Sequence, residues 1–239
     1  MSSLYRDTGV VLRTYRLGEA DRIIVLFTER HGKVRAVAKG VRKTKSKFGA
    51  RLEPTSHVAV QLYEGRELDI VTQAESIDHF RSIREDLDRI AGASAMLEAV
   101  DQLAQEREPN PRLYQMLLGA LRSLSAHHPP LVVPAFFIKV LALEGFKPMV
   151  EQCVECGASE GLVAFDFETG GVLCEACRRG QRISPEALVL LQQMLGGQLG
   201  AALNEPESAA THEVAHLATH ALEHHIERRL RSVTLLDRG

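Results

Sequence analysis

Gly32-Lys33-Val34-Arg35-Ala36-Val37-Ala38-Lys39-Gly40 is the stretch on which the fold turns. Its period is two: Val34, Ala36 and Ala38 fall on one side, Lys33, Arg35 and Lys39 on the other. Successive side chains of a strand point to opposite faces, so this is a half-buried strand with a cationic outer face. Just before it, residues 21–29 place Ile23, Ile24, Val25, Leu26 and Phe27 on both faces, as a strand covered on both sides requires. Segments 9–17, 57–63 and 67–73 are also rich in Val, Ile, Leu, Thr or Tyr, and Gly18, Gly32 and Gly65 punctuate the series. Five short strands predict a small barrel, of which the OB-fold is the five-stranded form. An SH3-like barrel would give much the same pattern.

After Ser76 the period becomes helical. Ile77, Phe80, Ile83, Leu87, Ile90 and Ala91 recur at three- and four-residue spacing, predicting a helix that continues to about Glu106. Asn110-Pro111 supplies an N-cap and an N1 proline for a helix to about Ser125. Pro129-Pro130 opens a third helix, apolar nearly all round, that ends near Gly145. Ser184-Pro185 starts a fourth, running into Gly196-Gly197, and the last spans roughly Ser208 to Ser232. The expected class is α+β. A barrel domain covers residues 1–80, and a helical domain covers 81–239 with a four-cysteine zinc-ribbon-like element inserted at 150–180.

The 239 residues are 45% hydrophobic and 25% charged, which excludes a wholly disordered chain. The most apolar run, Leu131 to Leu143, is interrupted by Pro134 and Lys139 and falls short of the roughly 20 residues of a membrane span. The N-terminal MSSLYRDTG has no apolar core of a secretory signal, so a cytoplasmic location is expected. The net charge of −2 hides an asymmetry: residues 1–80 carry +4 and the remainder −6. From Lys33 to Arg51 there are eight basic residues and no acidic one. A basic front on an acidic body points to an anionic partner for the front.

All four cysteines lie in one window. Cys153-x2-Cys156 is followed by Cys174-x2-Cys177, the spacing of a tetrahedral four-thiolate zinc site. Leu162, Val163, Phe165 and Val172 supply the short hairpin of a zinc ribbon, and Gly157 and Gly170-Gly171 its tight turns. Two disulfides are disfavoured in a reducing compartment. Four thiolates leave no open coordination position, so the ion is structural. His212-Glu213-Val214-Ala215-His216 also fits the H-E-x-x-H template of zinc peptidases. His220 and His224 continue the row, but at 1.5 Å per residue His212 and His220 lie about 12 Å apart along a helix axis and cannot share one ion. The row reads as the polar face of a helix whose apolar stripe is Val214, Leu217, Ala218, Ala221, Leu222 and Ile226.

Arg42, Lys43, Lys45, Lys47 and Arg51 form a basic segment that continues the cationic face of Lys33, Arg35 and Lys39. Such residues neutralise phosphates and release counterions, giving affinity independent of sequence. Phe48, within the run, is a candidate for stacking on a base.

Taken together, the chain resembles the RecO family of bacterial recombination mediators. The resemblance is carried by Gly9-Val10-Val11-Leu12-Arg13, Gly18-Glu19-Ala20-Asp21-Arg22-Ile23, Gly32 to Gly40, Leu68-Asp69-Ile70, the cysteine knuckles and His225-Ile226-Glu227-Arg228-Arg229-Leu230-Arg231-Ser232. It implies an OB-fold that binds single- and double-stranded DNA, annealing of complementary strands, a complex with RecR, and help in loading recombinase onto DNA coated by single-strand-binding protein (SSB). It implies no active site and a nucleoid-associated, cytoplasmic protein. The family's DNA-contacting cations fall on Arg35 and Lys39; Lys33, Arg42, Lys43, Lys45, Lys47 and Arg51 extend the set by charge and position. The acidic, apolar-tipped SSB tail is expected on the last helix, where Ile226 and Leu230 lie near Arg228, Arg229 and Arg231. Two rival readings remain: a metallopeptidase at His212, Glu213 and His216, and a zinc-ribbon adaptor that acts through protein contacts with a merely solvated basic loop.

Overall fold

Strand β1 (Leu4–Leu17) is long enough to serve two neighbours. Leu4–Val10 pair antiparallel with β4 (His57–Tyr63), and Gly9–Leu17 pair antiparallel with β2 (Asp21–Thr28). A bulge between Val11 and Arg13 accompanies the bend between the two partnerships. β2 pairs with β3 (Gly32–Ala38), and β3 meets β5 (Asp69–Asp78) in parallel at Ala36–Asp69 and Val37–Ile70, closing a five-stranded barrel of order β1-β2-β3-β5-β4. The computed structural model describes residues 3–43, 46, 48–127 and 129–232. Among them, no helix is long and apolar enough to cross a membrane.

The barrel core follows the alternation read from the sequence. Val34, Ala36 and Ala38 are fully buried together with Val11, Ile24, Leu26, Val58 and Leu62. Phe48 and Leu52 drop in from the segment between β3 and β4, each 1% exposed. This corrects the stacking role expected for Phe48. Burying such a ring contributes roughly 2–3 kcal/mol without any ligand.

Three helices join the barrel in one compact unit ending at Ala126: α1 (Arg81–Arg84), α2 (Leu87–Leu103) and α3 (Pro111–Ala126). The unit thus extends past residue 80, because α2 packs against β1 and α3 reaches the outer side of β2 at Phe27. Phe27 is sealed there, its ring against Tyr114 of α3 at 6.1 Å. β5 runs on to Asp78, since Ser76 and Asp78 pair with Val58 and His57. The helix expected from Ile77 therefore begins later, and Ile77, Leu87 and Ile90 are solvent-facing. α2 instead buries small residues such as Ala91, Ala95 and Ala99.

The second unit, from His127, is built on α4 (Val132–Leu143), which is buried on nearly every side, as its composition predicts. It packs against α5 (Pro185–Leu195) and α7 (Ala209–His225); a short α6 (Leu199–Leu203), not foreseen, lies between these two in sequence. α7 opens with a Ser208–Thr211 capping box and buries Val214, Leu217, Ala218 and Leu222. It stops at His225, short of the expected Ser232, and Glu227 takes a left-handed φ of 51°. Leu230 turns inward at 2% exposure, and its N–H donates to Glu223. Ile226, Leu230 and the arginines at 228, 229 and 231 thus lie past the helix end, and Leu230 is taken up by the fold.

Two predictions follow from the barrel–helix packing. Gly32 sits at φ 64°, where a Cβ would come within 2.0 Å of the Glu108 carbonyl oxygen. Gly32→Ala should cost about 2 kcal/mol or more, seen as a drop in Tm of at least several degrees; an unchanged melt would contradict the close approach. His57, buried between barrel and α3, hydrogen-bonds the Tyr114 hydroxyl at 2.9 Å. Burial, with Arg122 nearby, holds its pKa below the ordinary imidazole value. The unfolded chain therefore takes up this proton first as pH falls. Its contribution is present above about pH 6.5 and lost as pH drops toward the lowered folded value. His57→Gln should lose less thermal stability than wild type between about pH 7.5 and about pH 5.5; equal losses would refute this.

Candidate nucleic-acid interface and metal centre

The cations of β3 have different fates. Lys33 is drawn to the C-terminal end of α2, where its ammonium donates to the Asp101 carbonyl at 2.6 Å and lies 3.6 Å from its carboxylate. With a side chain only 15% exposed, Lys33 compensates α2's carbonyl end and the buried Asp101 carboxylate. Arg35 remains about half exposed, 3.7 Å from the equally open Glu106. Such a pair is worth roughly 0–1 kcal/mol and is readily exchanged for another anion. Lys39 is exposed at the end of the same strand face.

Beyond the strand, Arg42 and Lys43 are exposed. The Arg42 guanidinium donates to the Glu19 carbonyl at 3.0 Å, tying this turn to the β1–β2 turn. Arg51 is exposed past the buried Phe48. Lys45 and Lys47 lie outside the described residues. On β1, Arg13 binds Asp101 at 2.8 Å and lies 4.9 Å over the Tyr15 ring. Alternation alone marks Arg13 as a surface strand residue, but its neighbours across the sheet come from register.

On the same unit, Asp69 is wholly buried where β3 and β5 close the barrel. It accepts hydrogen bonds from the Tyr5 hydroxyl and, at 2.6 Å, from Arg107, which also donates to Tyr5 at 3.0 Å. Burial and the Asp69 hydrogen bond raise the Tyr5 phenol well above its ordinary value, so it stays neutral. This cluster anchors the α2–α3 connection to the barrel; it is structural.

In the second unit, the cysteines converge. Two knuckles bracket a hairpin of β6 (Leu162–Asp166) and β7 (Gly171–Cys174), with β8 (Gln181–Arg182) on the outer edge of β6. Gly157 turns the first knuckle at φ 77°, and its N–H donates to the Cys153 carbonyl at 2.9 Å. Gly171 has no room for a Cβ, which would lie 2.4 Å from Val154. All four Sγ atoms fall within 4.8 Å of one another, with Cys156 and Cys174 at 3.6 Å. Tetrahedral zinc with bonds near 2.3 Å holds its sulfurs about 3.8 Å apart, so the quartet fits a zinc ion as it stands. Burial pushes the Cys153 thiol up, but backbone N–H groups of Cys174, Cys156 and Glu155 outweigh it and bring it down to about 6. Cys177, hydrogen-bonded to the sulfurs of Cys156 and Cys174, is pushed up to about 12. Among the described residues, this quartet is the one group of three or more Cys, His, Asp or Glu donors placed to hold a metal ion.

The H-E-x-x-H segment is employed otherwise. Glu213 accepts from the N–H and hydroxyl of Ser184, at 2.8 and 2.6 Å, and so fastens the start of α5. His212 pairs with Glu207 at 2.8 Å, and His216 stacks on His220 with ring centroids 4.1 Å apart.

Residues 1–80 match the family model described as Recombination protein O N terminal. Residues 84–234 match the one described as Recombination protein O C terminal.

The protein should carry one tightly bound zinc per chain, measurable by elemental mass spectrometry on chelator-washed material. Cys174→Ser should lower Tm and loosen the β6–β7 hairpin. Metal-free protein of equal stability would contradict the site.

Proposed function

The chain belongs to the recombination protein O family, and from that premise we propose that it is a mediator of DNA repair that binds single- and double-stranded DNA through its barrel without sequence preference. The family assignment makes it a DNA repair and recombination protein. The observation that carries the finer reading is the solvent-exposed cationic line of Arg35, Lys39, Arg42, Lys43 and Arg51 on a barrel whose apolar residues are turned inward. Phosphate neutralisation by such a line is indifferent to base identity. Lys45 and Lys47 extend it by sequence. Lys33 belongs to the proposed set by position, but its bond to Asp101 assigns it to holding α2 in place.

Annealing asks no bond-making chemistry of the protein. Two strands are concentrated on a cationic surface, and base pairing supplies the driving force. Membership of the family supports RecR and the SSB tail as partners and recombinase loading as the outcome. The ion at Cys153, Cys156, Cys174 and Cys177 is inferred to be structural zinc, because a four-thiolate shell leaves no position for substrate. The adaptor reading, with a merely solvated basic loop, is separated by the salt dependence of DNA binding.

Affinity for a single strand should fall steeply with salt. Replacing Arg35 and Lys39 together by Ala should flatten the slope by about 1.4, at roughly 0.7 per phosphate contact, with similar losses on unrelated sequences. Glu106→Gln, which removes the carboxylate competing for Arg35, should tighten binding several-fold, by about 1 kcal/mol. A slope unaltered in the double variant would favour the adaptor.

A further inference from the structure

With Phe48 buried, the barrel needs another aromatic if it is to read the face of a base, and strand register supplies one. On the outer surface, Tyr15 of β1 stands opposite Ile23 of β2, which stands opposite Val37 of β3. Directly opposed residues have Cβ atoms about 5 Å apart, so the three form a continuous apolar row across the strands. The adjacent row is Arg13, Val25 and Arg35, again directly opposed. Along β3, Arg35 precedes Val37 by two residues on the same face, and Lys39 follows just past the strand's end at Ala38.

Tyr15, Ile23, Arg13, Val25 and Arg35 of these rows line an open groove of about 390 Å³, together with Lys33, Asp101 and Glu106. Tyr15 keeps 42% of its surface exposed there. Its ring is held: the Arg13 guanidinium lies 4.9 Å from the ring centroid and is itself fixed by Asp101 at 2.8 Å. A ring steadied in this way loses little freedom on binding, which suits it to be a stacking platform. The apolar surface of Tyr15 and Ile23 beside Arg35 suits a nucleotide, whose base is flat and whose phosphate is anionic; of the two carboxylates in the groove, Asp101 is paired with Arg13 and Lys33, and Glu106 with Arg35.

We propose that this groove is a base-stacking pocket specific for single-stranded DNA, with Tyr15 as its platform and Arg35 and Lys39 holding the flanking phosphates. The proposal rests on the DNA-binding reading above and deepens it. A base within a duplex has both faces covered by its neighbours, whereas an unpaired base offers one, so Tyr15 contributes to single strands alone. The barrel then holds single and double strands by the same cations and distinguishes them by one ring.

The test compares full-length wild type with Tyr15→Ala, Tyr15→Phe and Tyr15→Trp, titrated against labelled oligothymidine and a duplex of equal length. Tyr15→Ala should weaken oligothymidine binding between about 5-fold and about 150-fold, the range of one lost stack. Duplex affinity should stay within about two-fold and the salt slope should remain that of wild type. Tyr15→Phe should bind like wild type. The chain has no tryptophan, so Tyr15→Trp provides a single reporter whose fluorescence should be quenched by oligothymidine and not by duplex. Equal losses on both DNA forms, or an unquenched reporter on a variant that still binds, would overturn the pocket and leave the cationic line standing. Wild-type protein that binds neither DNA at low salt would overturn both.

Discussion

Closure of the barrel through β1 is the constraint on which the first unit depends. β1 closes the ring of strands by bonding β4 along its first half and β2 along its second, so that one strand serves both ends of the sheet. Once the ring of strands is closed, every second residue is committed to the interior. Val34, Ala36 and Ala38 must go inward, and so Lys33, Arg35 and Lys39 must go outward. The chemistry of the surface is thus a consequence of the packing of the core.

Closure alone does not decide which outward residues are available. α2 and α3 cover part of the barrel exterior, and what they cover is lost to ligands. Phe27 is sealed against Tyr114, and Lys33 is drawn to Asp101 at the end of α2. Farther along the same face, Arg35 and Lys39 stay open. The boundary between covered and open surface therefore falls between Lys33, which holds a helix, and Arg35 on the same strand, which faces solvent. Asp101 bears on both functions, since it also steadies Arg13 beside Tyr15.

The second unit solves a different problem. Its centre is α4, buried on almost all sides, and beside it in the same unit is a short hairpin of nine strand residues, small for a self-standing sheet. The cysteine quartet brings two knuckles that are distant in sequence to one point, where a bound metal ion would tie them. The histidine row of α7 belongs to packing and capping, with Glu213 holding the start of α5 and His216 stacked on His220. Similar residue types thus serve in one place as metal donors and in another as structural hydrogen-bond partners, and the difference is whether their donor atoms converge.

Much of this is legible in local pattern. Alternation over 32–40 and the apolar run over 23–27 reveal the strands, the two C-x2-C knuckles reveal the metal site, and Ser184-Pro185 reveals the start of α5. These signals are local: pleat, knuckle and cap are each set within a few residues. The points at which local pattern misled are those decided at a distance. Ile77 lies at helical spacing, yet it belongs to β5 because β4 offers hydrogen bonds there. Phe48 sits in a cationic run, yet it is buried because the barrel end has room for a ring. The helix expected to reach Ser232 stops at His225, and Leu230 turns inward where Glu223 accepts its N–H. Tyr15 could be read only as one more outward strand residue until register set it beside Ile23, Val37 and Arg35. Periodicity states which way a side chain points; which other side chains meet it there depends on pairing between strands far apart in the chain, and only the folded structure supplies that pairing.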